Sequence, residues 1–184
     1  MPDKLGWRAN WGVIAPSTNT SVQPEFDEMR PRGVTNHMSR IWIPNEPVTS
    51  DEEFNNLMLN IRKEWDNAIL RVMTCNPDYL VMGMSSETFW GGLAQANELR
   101  ARMTAMTGLR VAMGSDACQA ALRCYGDIKR IGVLTPYWPI ADKNVKLFLE
   151  DCGFEVVVIK GLCCEGPTEM AQVTEKVMLD ALME

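Results

Sequence analysis

The sequence predicts an α/β protein built of parallel-sheet βα units in two pseudo-symmetric lobes. Three observations carry this. Short apolar, β-rich runs alternate with longer stretches of helical period, the order that repeated βα units give. Polar turns close several of the apolar runs, as at Pro16-Ser17-Thr18-Asn19-Thr20 and Thr135-Pro136-Tyr137, where helices can begin. Arg130 to Gly161 then repeats the strand, turn, helix, strand order of Gly12 to Pro44, which divides the chain into a first lobe, residues 1–114, and a second, residues 115–184.

Trp11 to Ala15 is the first predicted strand, and its polar turn leads into a helix over 22–29. Ser39 to Ile43 is the second. Thr49-Ser50-Asp51-Glu52-Glu53 opens a long helix with acids at its positive end. That helix runs to about Cys75 with Phe54, Leu57, Ile61, Trp65, Ile69 and Val72 on one face. Asp78 to Gly83 is the third strand, followed by a small-residue turn over 84–92 and a helix over 93–107. Leu109 to Met113 is the fourth, with Gly114-Ser115-Asp116 starting a helix that ends near Tyr125. Arg130 to Leu134 and Phe154 to Ile159 are the fifth and sixth strands, with a helix over 140–152 between them. The last helix, Glu169 to Met183, meets the end of the sequence at Glu184 with no strand after it. A βα series normally returns the chain to its sheet, so the C-terminal part of the second lobe is expected to be missing.

With 184 residues, 46% hydrophobic and 23% charged, the chain can bury a sizeable core. A net charge of −6 without any basic stretch argues against nucleic acid or an anionic membrane as the principal partner. No apolar run is long enough to span a bilayer, and the charged N-terminus is followed by no apolar core; a cytoplasmic location is the expectation. Six cysteines in such a chain read as reduced thiols. None are spaced C-x-x-C, and His37 is the one histidine, so vicinal Cys163 and Cys164 read as structural and no metal is expected. Neither G-x-G-x-x-G nor a P-loop follows a strand, which disfavours a nucleotide-binding domain.

In open parallel sheets ligands bind beyond the carboxyl ends of strands. Three such ends are rich in hydroxyls and amides: Ser17, Thr18, Asn19 and Thr20; Ser85, Ser86 and Thr88; Thr135 and Tyr137. These groups, with the helix N–H groups behind them, can hold an anion without a cationic side chain. Each alone is more often an N-cap, and their recurrence at three strand ends shifts the reading toward a carboxylate cradle without removing the capping alternative. His37 has no acid–base partner nearby in sequence and reads as a surface or packing residue. Glu87 is the one carboxylate of the third strand's turn, either a base or a solvated loop acid. Trp90 and Trp138 stand where they could wall a pocket.

Pro-Ser-Thr-Asn-Thr at 16–20, the turn ending Phe89-Trp90-Gly91-Gly92, and Arg-Ile-Gly-Val-Leu-Thr-Pro-Tyr at 130–137 together resemble one group. It is the maleate cis–trans isomerase and arylmalonate decarboxylase branch of the aspartate/glutamate racemase superfamily, and the resemblance spans nearly the whole chain. It implies a small dicarboxylate bound between two lobes, with no cofactor or metal, and an enolate-like intermediate. It also implies that Asn19, Ser85, Ser86 and Tyr137 bind substrate; Ser17, from the same cradle, is grouped with them, and Ser85 and Tyr137 are the candidate catalytic groups. The isomerases of this branch use two cysteines and the decarboxylases keep the later one. An ungapped match on Phe89 puts Met84 in the first cysteine's slot, and a one-residue shift puts Gly83 there. Neither is a thiol, which disfavours two-cysteine chemistry. The second cysteine would follow a strand beyond Glu184. Cys163 and Cys164, in a loop after the sixth strand, are not expected to replace it, and Cys75, Cys118 and Cys124 read as small hydrophobes. The expectation is a cofactor-independent lyase or isomerase; the alternative is a catalytically silent or truncated carboxylate-binding homologue. A homo-oligomer is compatible with both.

Overall fold

A computed structural model describes residues 4–184; the first three residues of the N-terminal segment discussed above lie outside the described residues. Strands β1 (Ala9–Pro16), β2 (Val34–Ile41), β3 (Tyr79–Met82) and β4 (Val111–Met113) form a parallel sheet in the order β2-β1-β3-β4. Strands β5 (Arg130–Thr135) and β6 (Glu155–Gly161) form a second, two-stranded parallel sheet. Val13, Ile14 and Ala15 of the central strand β1 are fully buried; such an unbroken apolar run suits a strand covered on both faces.

Helix α1 (Val22–Glu28) follows β1, and α2 (Asp51–Met73) connects β2 to β3. The start of α2 is a reciprocal cap: Ser50 Oγ accepts from the Glu53 N–H at 3.2 Å, and the Glu53 carboxylate accepts from the Thr49 N–H at 2.6 Å. Phe54, Met58, Ile61, Trp65, Ala68, Ile69 and Val72 of α2 are buried, at helical spacing and on the face toward β1 and β2. Helix α4 (Gly92–Thr107) packs against α6 (Pro139–Asp151), which also covers β6. Buried Phe148 of α6 meets Phe89 edge-on at 5.2 Å. One contiguous core therefore runs from Ile14 through Phe54 and Phe89 to Phe148 and Val156, joining both sheets. Among the described residues no helix is long and apolar enough to cross a membrane.

Three elements differ from the expectation. Strand β2 covers Val34–Ile41, not 39–43, because β1 pairs with it from Ala9↔Val34 to Pro16↔Ile41; the polar Asn36-His37 pair had hidden it. His37 thus sits inside a strand, its Nε2 2.9 Å from Thr35 Oγ1. The turn at 84–92 contains a short helix, α3 (Ser85–Phe89), and reverses at Gly91 and Gly92, both with φ above +70°, a region open to glycine at little cost. The last helix is two: α7 (Pro167–Met170) and α8 (Glu175–Met183). Thr174 Oγ1 accepts from the Val177 N–H, and this new N-cap competes with helix continuation through Val173. Helix α5 (Gly114–Cys124) completes the set and begins directly at the end of β4.

Candidate functional site

The carboxyl ends of β1, β3, β4 and β5 converge on a cavity of about 510 Å³. Ser85, at the start of α3, and Tyr137, just past β5, meet there with their hydroxyl oxygens 2.6 Å apart. This bond crosses from the first sheet's elements to the second's. Tyr137 is buried, and burial pushes its hydroxyl up to about 12; the Ser85 hydrogen bond opposes that rise, and the charges of Cys118 and Asp142 add to it. The phenol consequently stays protonated at neutral pH, which makes it a hydrogen-bond donor and not a base.

Tyr137 is held from several sides. Its N–H donates to Thr135 Oγ1 at 3.1 Å, and the Thr135 hydroxyl donates to Asp142 Oδ1. The Cys163 N–H donates to the Tyr137 carbonyl at 3.1 Å, and Phe54 meets the ring edge-on at 5.9 Å. The Asp142 carboxyl is pushed above its ordinary value by burial; the Thr135 bond opposes this and the Asp51 charge adds to it.

Asn19 lines the cavity and also caps a helix. Its Oδ1 accepts from the Ser21 N–H at 2.9 Å, the Val22 N–H at 2.8 Å and the Ser21 hydroxyl at 3.2 Å. Its Nδ2 donates to no protein atom among the described residues. The capping reading and the binding reading thus use opposite ends of one amide. Ser86 lines the cavity beside Ser85. Ser17 is not brought there. Its hydroxyl accepts from the Ile43 N–H at 2.9 Å and donates to the Ile43 carbonyl at 3.3 Å, tying the end of β1 to the chain beyond β2.

Glu87 is neither in a loop nor solvated. It is buried in α3, accepts from Arg62 Nε at 2.6 Å, and lines a different cavity. Burial raises its carboxyl above the ordinary value, against the hydrogen bond and charge of Arg62. Trp90 stacks on Phe54 with centroids 6.4 Å apart, and Trp138 donates its indole N–H to the Cys164 carbonyl at 3.1 Å; neither lines the Ser85 cavity.

None of the six cysteines lines it either. Burial raises the thiols of Cys163 and Cys164, and the charges of Asp142 and Asp51 beside the first, and of Glu169 beside the second, raise them further. Among the described residues no His, Cys, Asp and Glu group is arranged to hold a metal ion. Met84 and Gly83, the two residues of the first thiol slot, do line the cavity. Gly83 carries its own constraint: its N–H donates to the Ile14 carbonyl at 2.7 Å, and a Cβ there would stand only 3.1 Å from that oxygen. Sequence reasoning missed the apolar wall. Phe26 of α1, Phe54, Leu57, Met58 and Ile61 of α2, and Met113 all face the cavity, yet their spacing alone reads as ordinary core.

A family model described as arylmalonate decarboxylase matches residues 71–184. The chain belongs to the arylmalonate decarboxylase family. Solved structures of maleate isomerases and arylmalonate decarboxylase share its fold. The maleate cis-trans isomerase of Nocardia farcinica, with a covalently bound succinylcysteine intermediate, is similar at a TM-score of 0.79 and 20% identity, over 95% of this chain and 72% of that one. The maleate isomerase Iso of Pseudomonas putida S16 gives 0.73 and 19%, over 95% and 72%. A liganded double mutant of arylmalonate decarboxylase gives 0.75 and 19%, over 93% and 69%. By sequence, no curated protein matches the chain. In this member of the arylmalonate decarboxylase family, Tyr137 is the one titratable side chain lining the cavity among the described residues.

Proposed function

We propose that the Ser85 cavity binds a small dicarboxylate bearing an apolar substituent, an arylmalonate-type diacid, and stabilises the enolate-like charge formed when it loses one carboxyl group. The observation that carries this reading is the pairing of Ser85 and Tyr137 at 2.6 Å in a cavity that Thr18, Asn19 and Ser86 line on its polar side and Phe54, Leu57, Met58 and Met84 on its apolar side. Two hydroxyls sharing one hydrogen bond leave one O–H proton to donate to a ligand oxygen. In decarboxylation the bond from the α-carbon to one carboxyl carbon breaks and CO2 leaves. The electron pair stays on the α-carbon and spreads into the remaining carboxylate, and a proton then adds to that carbon. The Ser85 and Tyr137 pair is placed to donate to the oxygen on which charge grows, and Ser86 and Asn19 Nδ2 hold the retained carboxylate. Phe54, Leu57 and Met84 offer the second carboxylate no polar partner, which favours its departure as neutral CO2. The same side chains fit an aryl group better than the compact, doubly charged maleate. Isomerisation through thiol addition lacks support, since no thiol lines the cavity among the described residues.

Tyr137 stays protonated up to about 12 and is therefore a weak acid, so solvent water supplies the proton that ends on carbon. That observation also favours a second reading, a homologue that binds the diacid without turning it over. Incubation with phenylmalonate separates them. Phenylacetate and CO2 formed above the buffer rate, and reduced in Tyr137→Phe, support the decarboxylase. Saturable binding with no product supports the silent binder, and absence of both removes the cavity assignment.

A further inference from the structure

Back to back with the Ser85 cavity, across α3, lies a second cavity of about 510 Å³, lined by Arg62 and Trp65 of α2, Glu87 of α3, Trp90, and Glu98, Arg102 and their neighbours on α4. Residues two apart on a helix point to opposite sides, so α3 presents Ser85 to one cavity and Glu87 to the other. Two buried polar atoms of these lining residues have no partner among the described residues: Glu87 Oε2, an acceptor, and Trp65 Nε1, a donor. Both side chains are more than nine-tenths buried. An unmet donor or acceptor in such a place keeps its full desolvation cost, so each is a position where a ligand's complementary group gains most. Around them stand two cations and an anion: Arg102 is already held by Asp66 at 2.5 Å, while Arg62 and Glu98 have bonds to spare. Arg62 engages Glu87 through Nε alone, with its guanidinium carbon 5.3 Å from the Trp90 ring centroid, and its terminal nitrogens meet no acceptor among the described residues. Glu98 is exposed and unpaired among the described residues.

We propose that this cavity is a second ligand site for a small zwitterion of the α-amino-acid kind. Its carboxylate accepts from the Arg62 terminal nitrogens and the Trp65 indole N–H, and its ammonium donates to Glu87 Oε2 and Glu98. A simple anion would leave the two carboxylates facing it. A simple cation would leave the Trp65 N–H unmet and face Arg62. A molecule carrying both charges answers all four groups. Its side chain has Leu99 and the edge of Trp90 to lie against. The proposal does not depend on what the Ser85 cavity binds.

The test is titration calorimetry of the full chain with each proteinogenic L-amino acid, followed by the deaminated acid and the decarboxylated amine of the best binder. The expected result is saturable binding of at least one amino acid. Both single-charge analogues, and the variants Trp65→Phe and Glu98→Gln, should bind about tenfold more weakly or worse, the factor that losing one hydrogen bond to a charged group predicts. Glu98 is exposed, so its variant keeps the fold and guards against a loss of structure in the other. No binding by any amino acid, as when a buried water alone satisfies the two atoms, overturns the proposal. So does equal binding of either analogue, or unchanged affinity in either variant.

Discussion

In the four-stranded sheet Val13, Ile14 and Ala15 of β1 are shut off from solvent, whereas in the two-stranded sheet Val157 and Val158 of β6 stand 48% and 59% exposed. The two sheets are built in the same order of strand, turn, helix and strand, so the difference does not come from local propensity. It comes from cover: α2 lies along β1 and β2, while in the second sheet α6 packs against β6 and α8 touches β5 only lightly, leaving Leu179 and Leu182 exposed. A pairing irregularity between Ile131 and Gly132 further loosens the second sheet's register. Yet the second sheet supplies Tyr137, one of the more buried groups of the site. The lesson is that Tyr137 is enclosed from both sides: Phe54 of α2 and Ser85 of α3 reach its ring and hydroxyl, while Thr135 and Cys163 hold its backbone at the end of its own sheet.

The largest effect that tests this contrast is on stability. Ile14→Ala, which empties a fully buried position of β1, should cost about 2–5 kcal/mol, while Val158→Ala should stay within about 0.5 kcal/mol. Urea denaturation of both variants reads the difference, and comparable losses would break the comparison.

The next effect comes from pH and sharpens the claim about Tyr137. An unfolded tyrosine ionises near pH 10 and this one, when folded, near about 12. Between those values the folded state holds a proton that the unfolded state has released, so stability falls as pH rises through the window, by about 3 kcal/mol in all for a shift of that size. Denaturation measured from pH 9 upward should show this slope in the parent and a shallower one in Tyr137→Phe. Equal slopes would mean that the phenol is not enclosed.

How much of this was legible beforehand differs between the fold and the site. Most strands and helices follow from apolar period, because parallel strands covered on both faces are largely apolar; β2, with Asn36 and His37 inside it, does not. The Ser85–Tyr137 encounter was half legible: polar strand ends marked both residues, but only the docking of β5 beyond α3 makes them neighbours. The apolar wall was not legible, since Phe54 and Ile61 have the same spacing whether they face a cavity or a core. Neither sequence reading of Glu87, a base or a solvated loop acid, anticipates its burial in an ion pair, because Ser-Ser-Glu-Thr looks like a turn and nothing local to it reveals Arg62, which lies 25 residues away on α2.

A smaller effect separates the two uses of Asn19. Asn19→Ala removes both, and should lose about 1 kcal/mol of stability with the helix cap. Asn19→Asp keeps an oxygen for the Ser21 and Val22 N–H groups but replaces the free amide nitrogen with a second acceptor. It should hold stability within a few tenths of a kcal/mol while weakening binding of an arylmalonate. Parallel losses of stability and binding in both variants would reduce Asn19 to a cap.

The most direct test of the central claim is calorimetric titration of the parent chain and Ser85→Ala with phenylmalonate and with maleate. The hydroxyl pair and apolar wall predict tighter binding of phenylmalonate than of maleate in the parent. They also predict about a tenfold loss for phenylmalonate in Ser85→Ala, the loss of one hydrogen bond to a charged group. Equal affinity for the two diacids, or phenylmalonate binding untouched by the substitution, would contradict the account.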